Sequence, residues 1–253
     1  LYSQGGFDAL RGDGLDFSQG FMGWKAMTGS YHGSSATAPN WNWSSVQYHN
    51  DPAGVTDADG RVFTINTNTT ETDPSTNNRL TKIPTGYTHS VKLKNKDYNT
   101  NGWAGLQYTM EVSDENCLLT FNYAMVLQAP NHTGYVNPTF QIDVMAHNSL
   151  NPSQMTNDLV DECAFFEQVG NSNLPTQEPE VWHSGSDQTV WCDWQQIKIN
   201  LAKYIGDRVT IRFRISVCEY YFHYGYGYVT AKAEPALISV PGCAGNGDTV
   251  TVA

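Results

Sequence analysis

Basic residues are scarce in this chain, 14 against 25 acidic ones, and the formal net charge is -11. Gripping a phosphate backbone needs clustered Lys and Arg, so nucleic acid is excluded as a partner. The densest basic run, Lys92-Leu93-Lys94-Asn95-Lys96, is short and reads as a solvated strand end. Long apolar runs are missing too, since nothing approaches the roughly 18 to 20 residues a helix needs to cross a bilayer. No transmembrane segment is therefore expected. Catalytic signatures are also lacking: there is no G-x-S-x-G elbow, no H-E-x-x-H pair and no glycine-rich phosphate loop. The five cysteines, Cys117, Cys163, Cys192, Cys218 and Cys243, show no C-x-x-C zinc spacing. None of the seven histidines falls at metal-ligand spacing.

What is present suits a β protein. Hydrophobic residues make up 40% of the 253 positions, enough to fill the core of one large sandwich. Charged residues are only 15%, while Asn, Thr, Ser, Gly and Tyr are plentiful, a profile of extracellular domains with polar, uncharged loops. Alternation is clearest late in the chain. Ile197, Ile199 and Leu201 alternate with Lys198 and Asn200; after a turn at Ile205-Gly206-Asp207, Val209, Ile211, Phe213 and Ile215 alternate with Thr210, Arg212, Arg214 and Ser216. This period of two predicts paired antiparallel strands with one buried and one wet face, followed by a return strand at Gly225–Val229. Further strands are predicted at 61–67, 87–93, 103–112, 117–127 and 139–145, with Cys163–Phe166 as a short strand. Asp16–Trp24 is expected to hold the first strand and its turn, anchored by Phe17 and Trp24. No stripe at i, i+3, i+4 persists, so no helix longer than about two turns is predicted.

The connections carry the candidate chemistry. Residues 28–60 form a long insertion without periodicity, and Trp41, Trp43 and Tyr48 lie within it. A solvent-facing ring stacks on the apolar face of a sugar while Asn and Asp bind its hydroxyls; the alternative is that these rings plug one end of the sandwich. Asp57-Ala58-Asp59-Gly60 resembles a fragment of a calcium loop, with Asp57 and Asp59 as alternate carboxylates, but the rest of a twelve-residue EF-hand loop is missing and the segment reads as a plain turn. His223, within Tyr220–Tyr224, is either a packed histidine or part of a ligand-binding loop. Acidic residues cluster at Asp158, Asp161, Glu162 and Glu167 and again at Glu178 and Glu180. A glycosidase needs two carboxylates roughly 5 to 10 Å apart; these lack the E-x-D-x-x-E pattern of sandwich glycosidases and read as a solvated acidic loop. Arg11-Gly12-Asp13 is read as a chance tripeptide.

An ordered set of motifs resembles a family. Asn200–Gly206 with Val209–Phe213, then Cys218 and Phe222–Val229, is similar to NLSxYIGQxVTIxF, a cysteine and HFGYAYVD. Upstream and in the same order, Asp16-Phe17 with Gly23-Trp24 resembles NFE…GW, and Gly60-Arg61 with Thr64-Ile65 resembles GRHTI. Ile83–Leu93 resembles VPxGxxxSVRLG, Phe121–Pro130 resembles YxYAVVLQDP, and Pro138–Val144 resembles PxFxIxV. These are the motifs of a jelly-roll domain of large secreted and cell-surface multidomain proteins of Bacteroidota, adhesin-like and of the gliding-associated type.

The resemblance implies an all-β, antiparallel two-sheet jelly-roll sandwich spanning 16–240, with 1–15 as leader or linker and 241–253 as linker into a following module. It implies a disulfide between Cys163 and Cys218. A Cys117–Cys192 bridge is a second expectation, Cys243 is expected to pair outside the chain, and buried free thiols are the alternative. Thr230 and Ala233 stand where relatives carry Asp and Cys, so any calcium that aspartate binds is not implied here. Asp248-Thr249-Val250 fits a short glycosylation pattern of this bacterial group. The chain opens at Leu1, and a signal segment is expected to have preceded it. The function implied is a non-catalytic, extracellular or outer-membrane surface-attached adhesion or scaffold module that presents loops to a glycan or an extracellular protein beside neighbouring domains of the same polypeptide. The alternative is a carbohydrate-binding module appended to a polysaccharide-degrading enzyme.

Overall fold

Alternation sorts side chains to two faces of a strand, and in this chain it builds two layers. The computed structural model describes residues 12–33, 39–41, 43–57, 60–95, 102–129, 132, 134–147, 159–161, 164–220, 223–236 and 243–245. In chain order the strands are β1 (Trp24–Ser30), β2 (His32–Gly33), β3 (Pro39–Asn40), β4 (Gln47–His49), β5 (Thr56–Asp57), β6 (Gly60–Arg61), β7 (Phe63–Asn66), β8 (Ser90–Asn95) and β9 (Gly102–Glu111). They continue with β10 (Leu118–Gln128), β11 (Thr139–His147), β12 (Phe165–Val169), β13 (Trp182–Ser184), β14 (Thr189–Cys192), β15 (Gln195–Asn200), β16 (Arg208–Ser216), β17 (Gly225–Glu234) and β18 (Cys243–Gly245). One short helix, Leu174–Gln177, is the only α-helix among the described residues. Among the described residues, no helix is long and apolar enough to cross a membrane.

The front sheet has six strands in the order β12-β11-β16-β9-β1-β4. The back sheet has eight, in the order β13-β14-β10-β17-β8-β7, with β15 also on β10 and β18 on β15. All pairings are antiparallel. The chain is thus an all-β, two-sheet antiparallel sandwich, as the resemblance implied. Its core lies between the layers. Leu106, Ile142, Ile211 and Phe213 from the front sheet meet Leu119, Phe121, Met125 and Val229 from the back, all buried. At about 25 cal/mol per Å² of apolar surface removed from water, this contact is the main source of cohesion.

Two expectations about the strands are corrected. The strands on either side of Gly206 are not a hairpin: β15 pairs with β10 in the back sheet, while β16 lies between β11 and β9 in the front. The turn carries the chain from one layer to the other. It is held from both sides, with Leu201 N–H donating to Cys117 O at 2.7 Å and Gly206 N–H to Val112 O at 2.9 Å. Gly206 has φ +92, a left-handed conformation that disfavours any side chain. The first strand also starts later than expected, at Trp24, because Gly20 and Gly23 take positive φ and fold residues 16–23 into turns. Phe17 and Trp24 are buried as anticipated and stack at 4.8 Å. Leu15, on the linker side of the expected boundary, is fully buried, and β18 lies within the expected C-terminal linker.

Candidate functional site

The outer face of the front sheet departs most from what alternation predicts. Arg212 and Arg214 occupy the wet positions of β16, yet only 5% and 3% of their surface is exposed. Burying a guanidinium is costly unless an opposite charge and hydrogen bonds replace water. Asp143 on β11 supplies both. Arg212 Nε donates to its Oδ1 at 2.6 Å, and a terminal nitrogen of Arg214 donates to its Oδ2 at 2.5 Å. Asp143 lies directly opposite Arg212 in the ladder, so register alone brings them together. Burial pulls the Arg214 guanidinium down to about 10, against the opposing pull of Asp143.

Over these cations lie Trp41 and Trp43, from the insertion. Trp43 packs with both guanidinium carbons 4.8 Å from its ring centre, and its edge meets Trp103 at 5.4 Å. It remains 40% exposed. Its turn is pinned to the end of β1, because Ser45 Oγ accepts from the Ser30 N–H and from Ser30 Oγ, each at 2.9 Å. Beneath it, Trp103 lies across Gly29, where even a Cβ would come within 2.5 Å of the indole nitrogen. Trp41 is not solvent-facing. It is buried edge-on against Tyr31 and Trp103, so of the three candidate aromatics the plug reading holds for this one. Tyr48 is 52% exposed and pairs with Met27 across β1 and β4, which places it on the same outer face as Trp103.

The residues that alternate with Tyr48 turn the other way, into a cavity of about 580 Å³. Thr28, Ser30, Ser45, Gln47, His49 and Asp57 line it, a set of hydroxyl, amide, imidazole and carboxylate groups. His49 Nε2 and Thr28 Oγ1 are hydrogen-bonded at 2.9 Å. Asp57 faces the Lys94 ammonium at 3.4 Å, within the small β5–β6 pair; Asp59 lies outside the described residues.

Farther along the front face, Glu167 is not in a solvated loop. It sits on β12, where Gln141 Nε2 donates to it at 3.1 Å and Tyr135 is hydrogen-bonded to it. Burial raises its carboxyl above the ordinary Glu value, against the Tyr135 hydrogen bond and the Arg214 charge. Gln107 Oε1, Gln141 Oε1 and Arg214 Nε are buried on this face without hydrogen-bond partners among the described residues.

His223 belongs to another cluster. Its Nδ1 is 3.2 Å from Cys218 Sγ, and its ring meets that of His132 at 5.0 Å. Burial and His132 hold it below the ordinary imidazole value. Cys218 is a free, buried thiol, so the Cys163–Cys218 disulfide is corrected: its sulfur is turned to His223 and accepts the Tyr220 N–H at 3.3 Å. Cys163 itself lies outside the described residues. The Cys117–Cys192 bridge is also corrected, since both are free. Cys117 precedes β10, whereas Cys192 Sγ accepts from Met125 N–H far along that strand. At 3.3 Å per residue the separation is roughly 26 Å, and a disulfide tolerates no more than about 7 Å between Cα atoms.

The sequence missed Arg212, Arg214 and Asp143, whose only signal was a charged residue opposite a charged residue on neighbouring predicted strands. It also missed the cysteine–histidine cluster, whose members lie far apart in the chain.

No family profile matches the chain, and no curated protein matches it. Solved structures similar to it include the carbohydrate-binding module TmCBM61 in complex with β-1,4-galactotriose, at 9% identity and TM-score 0.37, covering 87% of this chain and 96% of that one. The enzymatically active domain of tailspike protein 4 of bacteriophage CBA120 is similar at 9% identity and TM-score 0.37, covering 87% of this chain and 21% of that one. A structure of carbohydrate-binding modules from the β-sandwich superfamily is similar at 11% identity and TM-score 0.37, covering 87% of this chain and 59% of that one.

Proposed function

We propose that this chain is a non-catalytic module that holds a glycan at the segment running from Trp43 to His49. The observation that carries this reading is Trp43 itself, a ring backed by two buried guanidiniums and still 40% open to solvent. A platform fixed in this way loses little entropy when a sugar ring stacks on it, and the cations behind it are both paired with Asp143. Tyr48 extends the apolar strip. On the other side of the same segment, the 580 Å³ cavity offers hydroxyl, amide and imidazole groups to sugar hydroxyls. Its size is within the roughly 300 to 1,000 Å³ of small-ligand pockets.

Glycosidase chemistry is disfavoured by the carboxylates on this face. Glu167 has the raised affinity for a proton that a general acid needs, but both oxygens of Asp143 are occupied by arginine. The module would serve an extracellular or surface-attached protein, as an adhesion unit or beside a degradative enzyme; both use the same site with different neighbours.

A glycan-array screen of the chain with and without chelator tests the reading. We expect hits that fall at least about tenfold in Trp43→Ala, the loss equivalent to 1.4 kcal/mol, and further when Tyr48→Ala is added. Hits that survive the double variant sink the site. Loss of binding in chelator that added calcium, but not zinc, restores would favour a calcium at Asp57 and Asp59; binding unchanged by chelator would remove it.

A further inference from the structure

We infer that His132, Cys218 and His223 form a binding site for a borderline-soft divalent cation, of which zinc is the best fit. One potential ligand atom from each residue lies within 4.8 Å of the other two. The donor set of two imidazoles and one thiolate suits zinc, cobalt, nickel or copper rather than calcium or magnesium, which take oxygen. A tetrahedral zinc with bonds of about 2.0 to 2.3 Å has ligand-to-ligand edges of roughly 3.3 to 3.7 Å. Cys218 Sγ and His223 Nδ1, at 3.2 Å, are already close to that spacing, and a small inward movement of His132 completes the triad.

The surroundings are those of a held site. His132 Nε2 is buried and has no hydrogen-bond partner among the described residues, an imidazole nitrogen whose burial nothing yet compensates. Asn137 Nδ2 donates to the His132 carbonyl at 3.1 Å and fixes its backbone. Cys218 N–H donates to His223 O at 3.0 Å, closing the turn that presents both ligands to one centre. Tyr220 N–H donates to Cys218 Sγ at 3.3 Å, a bond that strengthens when the sulfur carries charge. The ring of Tyr220 covers His132 at 5.0 Å. On binding, the Cys218 thiol releases its proton to solvent, the imidazoles bind neutral, and the fourth position is left to water or an incoming ligand.

The site's place in the fold gives the cation a task. His132 lies in the connection from β10 in the back sheet to β11 in the front; Cys218 and His223 lie in the connection from β16 in the front sheet to β17 in the back. Both are passages between layers, and Glu219 N–H already donates to Val136 O at 2.9 Å between them. A cation here would clip the two passages together at one end of the sandwich. This inference is independent of the glycan reading.

The test uses the full chain, stripped with chelator and kept reduced, and titrated with Zn²⁺ by calorimetry and with Co²⁺ by absorption. We expect one cation per chain, a near-ultraviolet thiolate-to-cobalt charge-transfer band, and a higher melting temperature with zinc. Cys218→Ser should abolish the band and weaken binding more than about 100-fold, beyond the 10- to 100-fold that outer partners cost. His132→Gln, on a connection rather than in the core, should weaken it at least about tenfold without unfolding the chain. His183→Gln, paired with Asp193 on the back sheet, should change nothing. Absence of saturable binding overturns the site, as does binding that ignores both ligand variants or cobalt uptake without the charge-transfer band. A Cys163–Cys218 disulfide found by mass spectrometry in the native protein overturns it as well.

Discussion

On the back sheet's outer face Tyr226 and Tyr228 donate their hydroxyls to one buried carboxylate, Asp73, at 3.0 and 2.7 Å; on the front sheet's, Asp143 is gripped by two arginines beneath a tryptophan open to water. Both carboxylates are nearly inaccessible, and each takes two side-chain donors from a neighbouring strand, Asp73 accepting the Ser75 N–H as well. The difference is in what lies above them. The connection of residues 67–89 brings Asp73 and Leu80 down onto the tyrosines, and Trp194 Nε1 donates to Thr81 O at 2.8 Å to hold it there. Thr189 Oγ1, donating to Ser75 O at 3.3 Å, ties the same connection to β14. The back face is therefore roofed. On the front face, among the described residues, Trp41 lies buried over Arg214 and Trp43 is a ring half in and half out. Among the described residues, buried polar atoms without hydrogen-bond partners occur on both faces, Thr230 Oγ1 on the back as well as Gln107 Oε1 and Gln141 Oε1 on the front, so they do not distinguish the two. The exposed, cation-backed aromatic does.

The sharpest way to break this contrast is Asp143→Ala. It leaves two guanidiniums buried without the carboxylate they share and should cost about 3 to 5 kcal/mol, read from the shift of the urea midpoint. A loss under about 1 kcal/mol would mean that water reaches the arginines and that the face is more open than described. Asp73→Ala is the matching change on the back. It removes the acceptor of two tyrosine hydroxyls and of the Ser75 N–H, and should cost about 2 to 3 kcal/mol while leaving glycan affinity unaltered. If binding falls instead, the roofed face is the functional one.

Trp43→Ala should do the reverse, lowering affinity about tenfold while costing about 0.5 to 1 kcal/mol of stability, the worth of a partly exposed cation–π contact. The smallest effect concerns pH. The folded chain holds the Glu167 proton to a higher pH than the unfolded chain, so unfolding releases a proton in the window just above the ordinary Glu value. Stability should fall slightly as pH rises through that window. Glu167→Gln should flatten that slope in thermal melts taken across mildly acidic pH, whereas a slope unchanged by the substitution would assign it to another group.

Much of the fold was legible because burial on one face writes itself as alternation. β9, β10, β11 and β16 fall within two residues of their expected starts. Pairing was not legible. The pattern on either side of Gly206 is that of a hairpin, and nothing in it records that Leu201 and Gly206 bond to the segment around Val112 and Cys117 rather than across to each other. The site was legible in part for a similar reason. Trp43 and Tyr48 were singled out together with Trp41, but composition cannot say which of two tryptophans two positions apart turns inward. Arg212 and Arg214 read as solvated because alternation reports the buried face and is silent on whether the other face is covered. The cysteine–histidine cluster escaped because spacing rules detect ligands on one element, and here two connections meet only in space.

The passage of the chain at Gly206 from β15 in one layer to β16 in the other also shapes how the molecule is assembled. Strands adjacent in sequence cannot zip together as local units there, and β10 must find β17, with Leu118 opposite Glu234, before the back sheet has its centre. Such distant closures must be made before they are rewarded, which places refolding toward the slow, millisecond-to-second end of the range for single domains. Both sheets should then appear in one concerted step.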